Sequence, residues 1–289
     1  MRRILLLVAA LCAATLSPLP SASAGVSSAA VANHVLTVTG TGQNETTAIA
    51  CAAGEVTVDG AAPSGGPEAC SDLREIRVNA GGGDDRVNLA EVARSAFSNL
   101  GPISVSGDDG DDTLIGSDFA DGLSGGGGSD ELRGGAGADR LAPGPGYNQV
   151  EGGDGRDRAS FSGGGSWFMI DGLIGRRSPV VEESSIRSVE EVEVVGGPGA
   201  DLLSGGSFPG VLILVGLGGN DLINSGPRDD VVDGGRGDDW LDANAGNDDM
   251  AGGPGDDVLR GDEGNDVMNG GPGNDVCLSG PGGDRAISC

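Results

Sequence analysis

An all-β solenoid is the fold class this sequence predicts, with short strands joined by glycine-rich turns and stacked along one axis. Three observations predict it. Gly supplies 57 of the 289 residues, nearly three times its ordinary share of about 7%. A nine-residue pattern recurs 17 times along the chain. Within that pattern position six is Asp in 15 copies and position eight is apolar in all 17. One apolar residue in nine is too sparse for an amphipathic helix, which needs three or four in every two turns. Glycines at positions one, two and four suit a tight turn with residues at positive φ. The last three residues of each copy then form a minimal strand with position eight facing inward. One such unit cannot bury its apolar residue, whereas stacked units can.

Residues 1–24 read as a secretory signal peptide. Arg2 and Arg3 precede an apolar run from Ile4 to Leu16, and Ala22-Ser23-Ala24 offers small residues for cleavage after Ala24. The run is shorter than the roughly 20 residues that a membrane span needs. Leu11 is too bulky for a lipoprotein site at Cys12. Loss of Arg2 and Arg3 takes the net charge from -27 to -29. Cys51, Cys70, Cys277 and Cys289 remain. An even number in an exported chain favours disulfides. Of the three pairings open on paper, the local one, Cys51 with Cys70 and Cys277 with Cys289, is expected. No CxxC spacing argues for metal binding by cysteine.

Residues 25–79 are expected to form a small β cap. The runs His34–Gly40 and Glu55–Gly60 alternate with period two, and Leu73 opens a third such run. A solenoid needs this kind of cover over its unpaired edge. The first repeat block spans 80–160. It has one copy at Ala80, a non-repeating stretch over 89–106 with an expected short helix around Leu89–Phe97, and six copies from Gly107. A β insertion is expected over 161–195, with strands at Ser166–Gly172 and Val189–Gly197; Glu182, Glu183, Glu190, Glu191 and Glu193 read as a solvated face. The second block and C-terminal cap span 196–289. It carries ten copies, interrupted by two extra residues, Leu214 and Val215.

Composition excludes several function classes. The chain has 31 Asp and 13 Glu, no Lys and a single His. Lysine-based phosphate loops, Schiff bases and His-rich zinc sites are therefore ruled out. So acidic a chain repels nucleic acid and anionic membranes. His34 sits in a strand-like run near the cap edge, and no G-x-S-x-G elbow occurs. A carboxylate pair for glycoside hydrolysis cannot be dismissed by counting, but two Trp and one Tyr supply little of an aromatic cleft. Trp167 and Trp240 read as packing or surface residues, and the G-x-G-x-x-G string at Gly144 falls out of the repeat.

The copies GGAGADRLA from Gly134, GGPGDDVLR from Gly252 and GGPGNDVCL from Gly270 resemble the haemolysin-type, or RTX, calcium-binding nonapeptide G-G-x-G-x-D-x-U-x. The resemblance covers roughly 80–160 and 196–287. It implies a right-handed parallel β-roll with two nonapeptides per coil, so that each turn stacks on the turn 18 residues on. It implies Ca2+ held between stacked turns by Asp side chains and turn carbonyls, which suits a cation that takes six to eight hard oxygens. The stacked pairs are then Asp112 with Asp130, Asp121 with Asp139 and Asp139 with Asp157. In the second block they are Asp221 with Asp239, Asp230 with Asp248, Asp239 with Asp257, Asp248 with Asp266, Asp257 with Asp275, and Asp266 with Asp284. That makes nine two-Asp sites by the repeat frame. Asp130 over Asn148 is expected to be weaker. Asp201 over Asp221 is disturbed by the two extra residues, and Asp85 is expected only to mark a terminal coil. Many RTX proteins carry the repeats behind a lipase, protease or pore-forming domain. The 55 residues between Ala24 and the first copy are too few for one.

The expected protein is therefore secreted, non-enzymatic and calcium-dependent in its folding, with a structural or adhesive role toward a cell-surface or matrix partner. The rivals are a module that binds carbohydrate, ice or protein on a flat roll face, and a hydrolase with an acidic site. A permanently disordered acidic linker explains the composition but not the phase-locked apolar position.

Overall fold

The structure is a computed structural model that describes residues 28–162, 166–170, 173–177 and 181–289. The expected signal peptide lies outside the described residues. Among them there are 27 strands and no helix, gathered into one sheet of 13 strands and one of 14. Successive repeats feed the two sheets alternately, which is the winding of a parallel β-roll. Leu114, Leu132 and Val150 stand in register in one sheet, and Leu123, Leu141 and Ala159 in the other. Each step is 18 residues, two nonapeptides per coil.

The core is the ladder of position-eight side chains between the sheets. From Val87 to Met268 they are all buried, while Cys277 and Ala286 at the end are not. Burying one Leu or Val contributes about 1.5–3 kcal/mol, so each coil adds two modest increments and depends on its neighbours. The turns pack main chain against main chain. Gly135 (φ +108°) and Gly137 (φ +138°) take left-handed conformations, and a Cβ on either would overlap a carbonyl of the turn below.

The roll begins well before the first nonapeptide. Val35–Thr41 pairs in parallel with Glu75–Gly81, and Thr46–Ala52 with Arg86–Asn88. The edge covers are antiparallel: Ser28–Ala32 lies on Val35–Thr41, and Glu55–Val58 folds back on Thr46–Ala52. Cys51–Cys70 staples that hairpin, and Cys277–Cys289 closes the other end (Cα–Cα 6.0 and 5.7 Å).

The helix expected around Leu89–Phe97 does not form. Isolated turn bonds join Val92 to Leu89 and Phe97 to Ala93. A helix of that length is marginal on its own, and tertiary contacts claim its groups. The Leu89 N–H donates to Ile115 O at 2.9 Å, Arg94 donates to Asp118 O, and Leu89, Val92 and Phe97 plug the coil.

Between the repeat blocks, Ser166–Ile170, Leu173–Arg177 and Val181–Arg187 form an antiparallel excursion within the 14-stranded sheet. Its outer strands pair in parallel with Gln149–Gly155 of the first block and Leu202–Ser204 of the second. In the opposite sheet, Glu191–Val195 bridges Arg158–Ser162 and Val211–Val215. Both sheets thus run unbroken through the insertion. The extra residues Leu214 and Val215 lengthen one strand by a single pleat. Leu212 faces Val192 and Leu214 faces Val232, and both are buried. Two residues are one strand period, so inward and outward faces are preserved.

Candidate metal centre

Each position-six residue stands immediately before a strand, or at Asp121 opens it, where the turn enters the sheet. Its backbone carbonyl accepts the first strand N–H of the next coil, as in Val258 to Asp239 O at 2.9 Å. Its backbone N–H donates to the Oδ1 of the position-six residue one coil on. Asp112 donates to Asp130 at 2.9 Å, Asp121 to Asp139 at 2.8 Å and Asp139 to Asp157 at 2.9 Å. The second block repeats this from Asp221 to Asp239 and Asp230 to Asp248, both at 2.7 Å, and from Asp239 to Asp257 at 2.8 Å. Asp248 to Asp266, Asp257 to Asp275 and Asp266 to Asp284 continue it at 3.0, 3.0 and 3.1 Å. All nine stacked pairs of the repeat frame are brought together.

Three expectations need correction. Asp201 stacks on Asp221 like the others, its N–H donating at 2.7 Å, because the extra residues are absorbed in the opposite sheet. Asp85 does not merely end the roll. Its N–H donates to Asp112 Oδ1 at 2.8 Å and its Oδ1 accepts Glu45 N–H at 2.7 Å. Glu190 is not simply a solvated side chain, since its Oε2 accepts Asp157 N–H at 2.9 Å and carries the ladder into the insertion. The side chains of Glu182 and Glu183 lie outside the description, while Glu191 and Glu193 pair with Arg158.

Those bonds use one carboxylate oxygen. Among the described residues, eleven position-six aspartates keep Oδ2 buried with no hydrogen-bond partner: Asp85, Asp112, Asp130, Asp139, Asp157, Asp221, Asp239, Asp248, Asp257, Asp266 and Asp275. Buried polar atoms are almost always satisfied, so a row of orphans calls for a ligand. The same oxygens face further oxygen donors. A Cβ on Gly134 would run into both Asp139 Oδ2 and Gly152 O, and one on Gly252 into Asp257 Oδ2 and Gly270 O. Carboxylate and main-chain carbonyl oxygens closing on one space fit a hard dication such as calcium. No group of three or more His, Cys, Asp or Glu side chains gathers among the described residues. The carboxylates meet in stacked pairs, and main-chain carbonyls must complete any site.

At Asn148 the same position is satisfied within the protein. Its Oδ1 accepts Asp130 N–H at 2.7 Å, and its Nδ2 donates to Gly144 O at 2.9 Å. The amide nitrogen takes the role that Oδ2 cannot fill, tying the side chain to a turn carbonyl.

Charge strains this arrangement. Burial, offset partly by the main-chain N–H, pushes Asp112, Asp121 and Asp248 up to about 7. Asp85, Asp130, Asp139 and Asp239 rise to about 6 for the same first reason, with stacked acids adding to it at Asp85, Asp139 and Asp239. Asp157, Asp221, Asp230, Asp257 and Asp266 are raised too, again first by burial.

A second ladder runs outside the first, through position five. Asn247 N–H donates to Asp229 Oδ1 at 2.8 Å and Asn265 N–H to Asn247 Oδ1 at 3.0 Å. These bonds point back along the chain, opposite to the inner ladder, and clamp each turn from both sides. The frequent Asp or Asn at position five was a readable signal for it.

The family described as RTX calcium-binding nonapeptide repeat matches in four copies, at residues 106–141, 215–250, 224–259 and 251–286. The chain carries RTX calcium-binding nonapeptide repeats. No curated protein matches it. The matched RTX repeat is a calcium-binding, non-catalytic module. His34, the single histidine, is exposed and bonds Glu68 at 2.6 Å away from the ladder. Two depressions of about 470 Å³, one beside Glu190 and Arg228 and one beside Arg94 and Phe119, are open to solvent. No helix among the described residues is long and apolar enough to cross a membrane.

Proposed function

We propose that the chain is a secreted, non-enzymatic structural protein whose roll folds on calcium, giving a stiff surface or matrix element. Asp112, Asp121, Asp130, Asp139 and Asp157 supply the carboxylates of the first block. Asp201, Asp221, Asp230, Asp239, Asp248, Asp257, Asp266, Asp275 and Asp284 supply those of the second. The observation that carries this reading is the set of eleven buried position-six carboxylates whose second oxygen has no hydrogen-bond partner; at Asp121, Asp201, Asp230 and Asp284 that oxygen accepts the main-chain N–H four residues before. Bound calcium would neutralise the stacked charges and draw each turn onto the next. Extracellular modules bind calcium at about 10⁻⁴–10⁻³ M, which suits a protein that is unfolded during export and assembles outside. The two disulfides agree with an oxidising compartment. Circular dichroism during a calcium titration tests the reading: a coil-to-β transition is expected in that range, and an unchanged spectrum from zero to millimolar calcium would sink it.

A second reading is supported by one surface feature. Leu202, Leu222, Trp240, Val258 and Val276 stand in register on the outer face of the 14-stranded sheet. All but Val258 are exposed. The equivalent row of the first block, Thr113, Glu131 and Gln149, is polar. A flat apolar row with an exposed indole suits the apolar face of a sugar ring, so the stiffened roll could present a carbohydrate-binding face.

A further inference from the structure

Residues 40–48 read Gly-Thr-Gly-Gln-Asn-Glu-Thr-Thr-Ala and lie outside the repeat blocks. The fold nevertheless treats them as a coil of the roll. Thr46, Thr47 and Ala48 pair in parallel with Arg86, Val87 and Asn88. Thr47 takes the inward position and is buried. The turn before it stacks on the turn at 81–84: Gly82 N–H donates to Thr41 O at 3.0 Å and Asp84 N–H to Asn44 Oδ1 at 3.0 Å.

Glu45 stands where the ladder aspartates stand, immediately before the strand. Its carbonyl accepts Arg86 N–H at 2.9 Å and its N–H donates to Asp85 Oδ1 at 2.7 Å. Its carboxylate accepts the N–H of Thr41, four residues before, at 3.1 Å. Asp121 and Asp230 accept Ser117 and Gly226 in the same way. A Cβ on Gly40 would strike Glu45 Oε2 and Ala80 O, the counterparts of the oxygens met in front of Gly134. Glu45 and Asp85 are each only 3% exposed, and Asp85 Oδ2 is buried with no partner. The Glu45 carboxylate lies within interaction range of Asp85. Among the described residues no ion pair reaches them: Arg86, next to Asp85, is exposed and directed outward by the strand's alternation.

We propose that Glu45 and Asp85, with carbonyls of the 40–44 and 80–84 turns, bind one further calcium ion that locks the disulfide-bonded cap to the ladder. The repeat frame cannot reveal this site, because its acids are 40 residues apart and one of them is Glu. It rests on the calcium reading of the ladder.

Native mass spectrometry of the calcium-loaded full chain counts the ions directly. Glu45→Gln keeps an acceptor for Thr41 and removes the charge. It is expected to carry one ion fewer than the parent and to exchange amides at 35–52 at least tenfold faster, with 216–287 unchanged. An equal ion count with equal exchange at 35–52 overturns the proposal. Asp85→Asn serves if Glu45→Gln does not reach the parent's circular dichroism spectrum. Loss of one ion with faster exchange at 35–52 supports the site, and an unchanged ion count overturns it. A parent that binds no calcium at all would instead defeat the wider reading of the ladder.

Discussion

Replacing Asp248 separates the two jobs of a ladder carboxylate. Its Oδ1 accepts Asp230 N–H at 2.7 Å, its own N–H donates to Asp266 Oδ1 at 3.0 Å, and its Oδ2 is buried and unpartnered. Asp248→Ala removes the acceptor and strands a buried N–H on Asp230, which costs about 1–3 kcal/mol, or roughly five- to hundredfold in the folding constant at about 1.4 kcal/mol per tenfold. Asp248→Asn keeps that acceptor, as Asn148 does for Asp130. It also removes a charge with a like neighbour on each side. At a strand spacing of about 4.8 Å and an effective dielectric of about 20, each such neighbour repels by about 3 kcal/mol when both are ionised. The two variants should therefore diverge. Without metal at pH 7.5, Asp248→Asn is expected to be more folded than the parent and Asp248→Ala less. With metal, both should need at least tenfold more calcium at the midpoint, because the pairs with Asp230 and Asp266 each lose a carboxylate. Calcium titrations followed by circular dichroism, with chelator for the metal-free arm, read both quantities. A parent-like calcium midpoint for Asp248→Asn would refute the assignment of Oδ2 as a ligand.

Further outcomes follow from the same geometry. Asp112, Asp121 and Asp248 at about 7, and Asp130, Asp139 and Asp239 at about 6, lie above the unfolded value of about 3.9. Stability from the protonated groups is therefore fully present below about pH 4 and lost as pH rises through about 6–7. The metal-free chain should be more ordered at pH 5 than at pH 7.5, whereas the calcium midpoint should rise on acidification as protons compete; a metal-free spectrum independent of pH contradicts this. Leu132→Ala empties a fully buried ladder position and should cost about 2–5 kcal/mol in chemical denaturation with calcium present. Asp154→Ala, exposed near the end of the Gln149–Gly155 strand, should stay within about 0.5 kcal/mol, and comparable losses would show that the frame is misread. Trp240→Ala should leave the calcium midpoint unchanged while abolishing retention on an insoluble polysaccharide such as chitin; equal retention would remove the carbohydrate reading.

The repeating half of the fold was legible because its physics is local and periodic. Position eight has to be apolar at Leu132 for the same reason as at Leu259, and 18-residue stacking follows once two turns make a coil. The pairing of Asp239 with Asp257 could thus be written down once the RTX resemblance supplied two nonapeptides per coil. What escaped was non-periodic. Asp85 looked solitary because its partners, Glu45 and Asp112, are 40 and 27 residues away. Glu190 looked like surface charge because Glu191 and Glu193 flank it, and only the register of Glu191–Val195 against Arg158–Ser162 singles it out. The Leu89–Phe97 segment carried helical residues whose backbone is claimed by contacts no local pattern encodes.

Those exceptions share a physical cause. Wherever the 18-residue step fails, the next turn arrives by a different route and the ladder needs a side chain suited to that route. At the cap seam Glu45 meets Asp85, and at the insertion seam Glu190 meets Asp157. Both seams use Glu, whose extra methylene lengthens the reach of the carboxylate. Asn148, whose N–H passes to Ser184 Oγ at 3.1 Å, ends the charged run in the first-block half of its sheet with neutral partners. The inner ladder is therefore carried across the cap seam and one coil into the insertion, where it stops at Ser184 in one sheet and at Gly210 after Glu190 in the other. In a solenoid whose coils contact only their neighbours, stability is carried from coil to coil, and a gap in the ladder would let cap, first block and second block order separately. The acids at the cap seam join cap and first block into one run, whereas the first block is joined to the second by the continuous sheets, so the proposed calcium would couple cap to first block more tightly than first block to second.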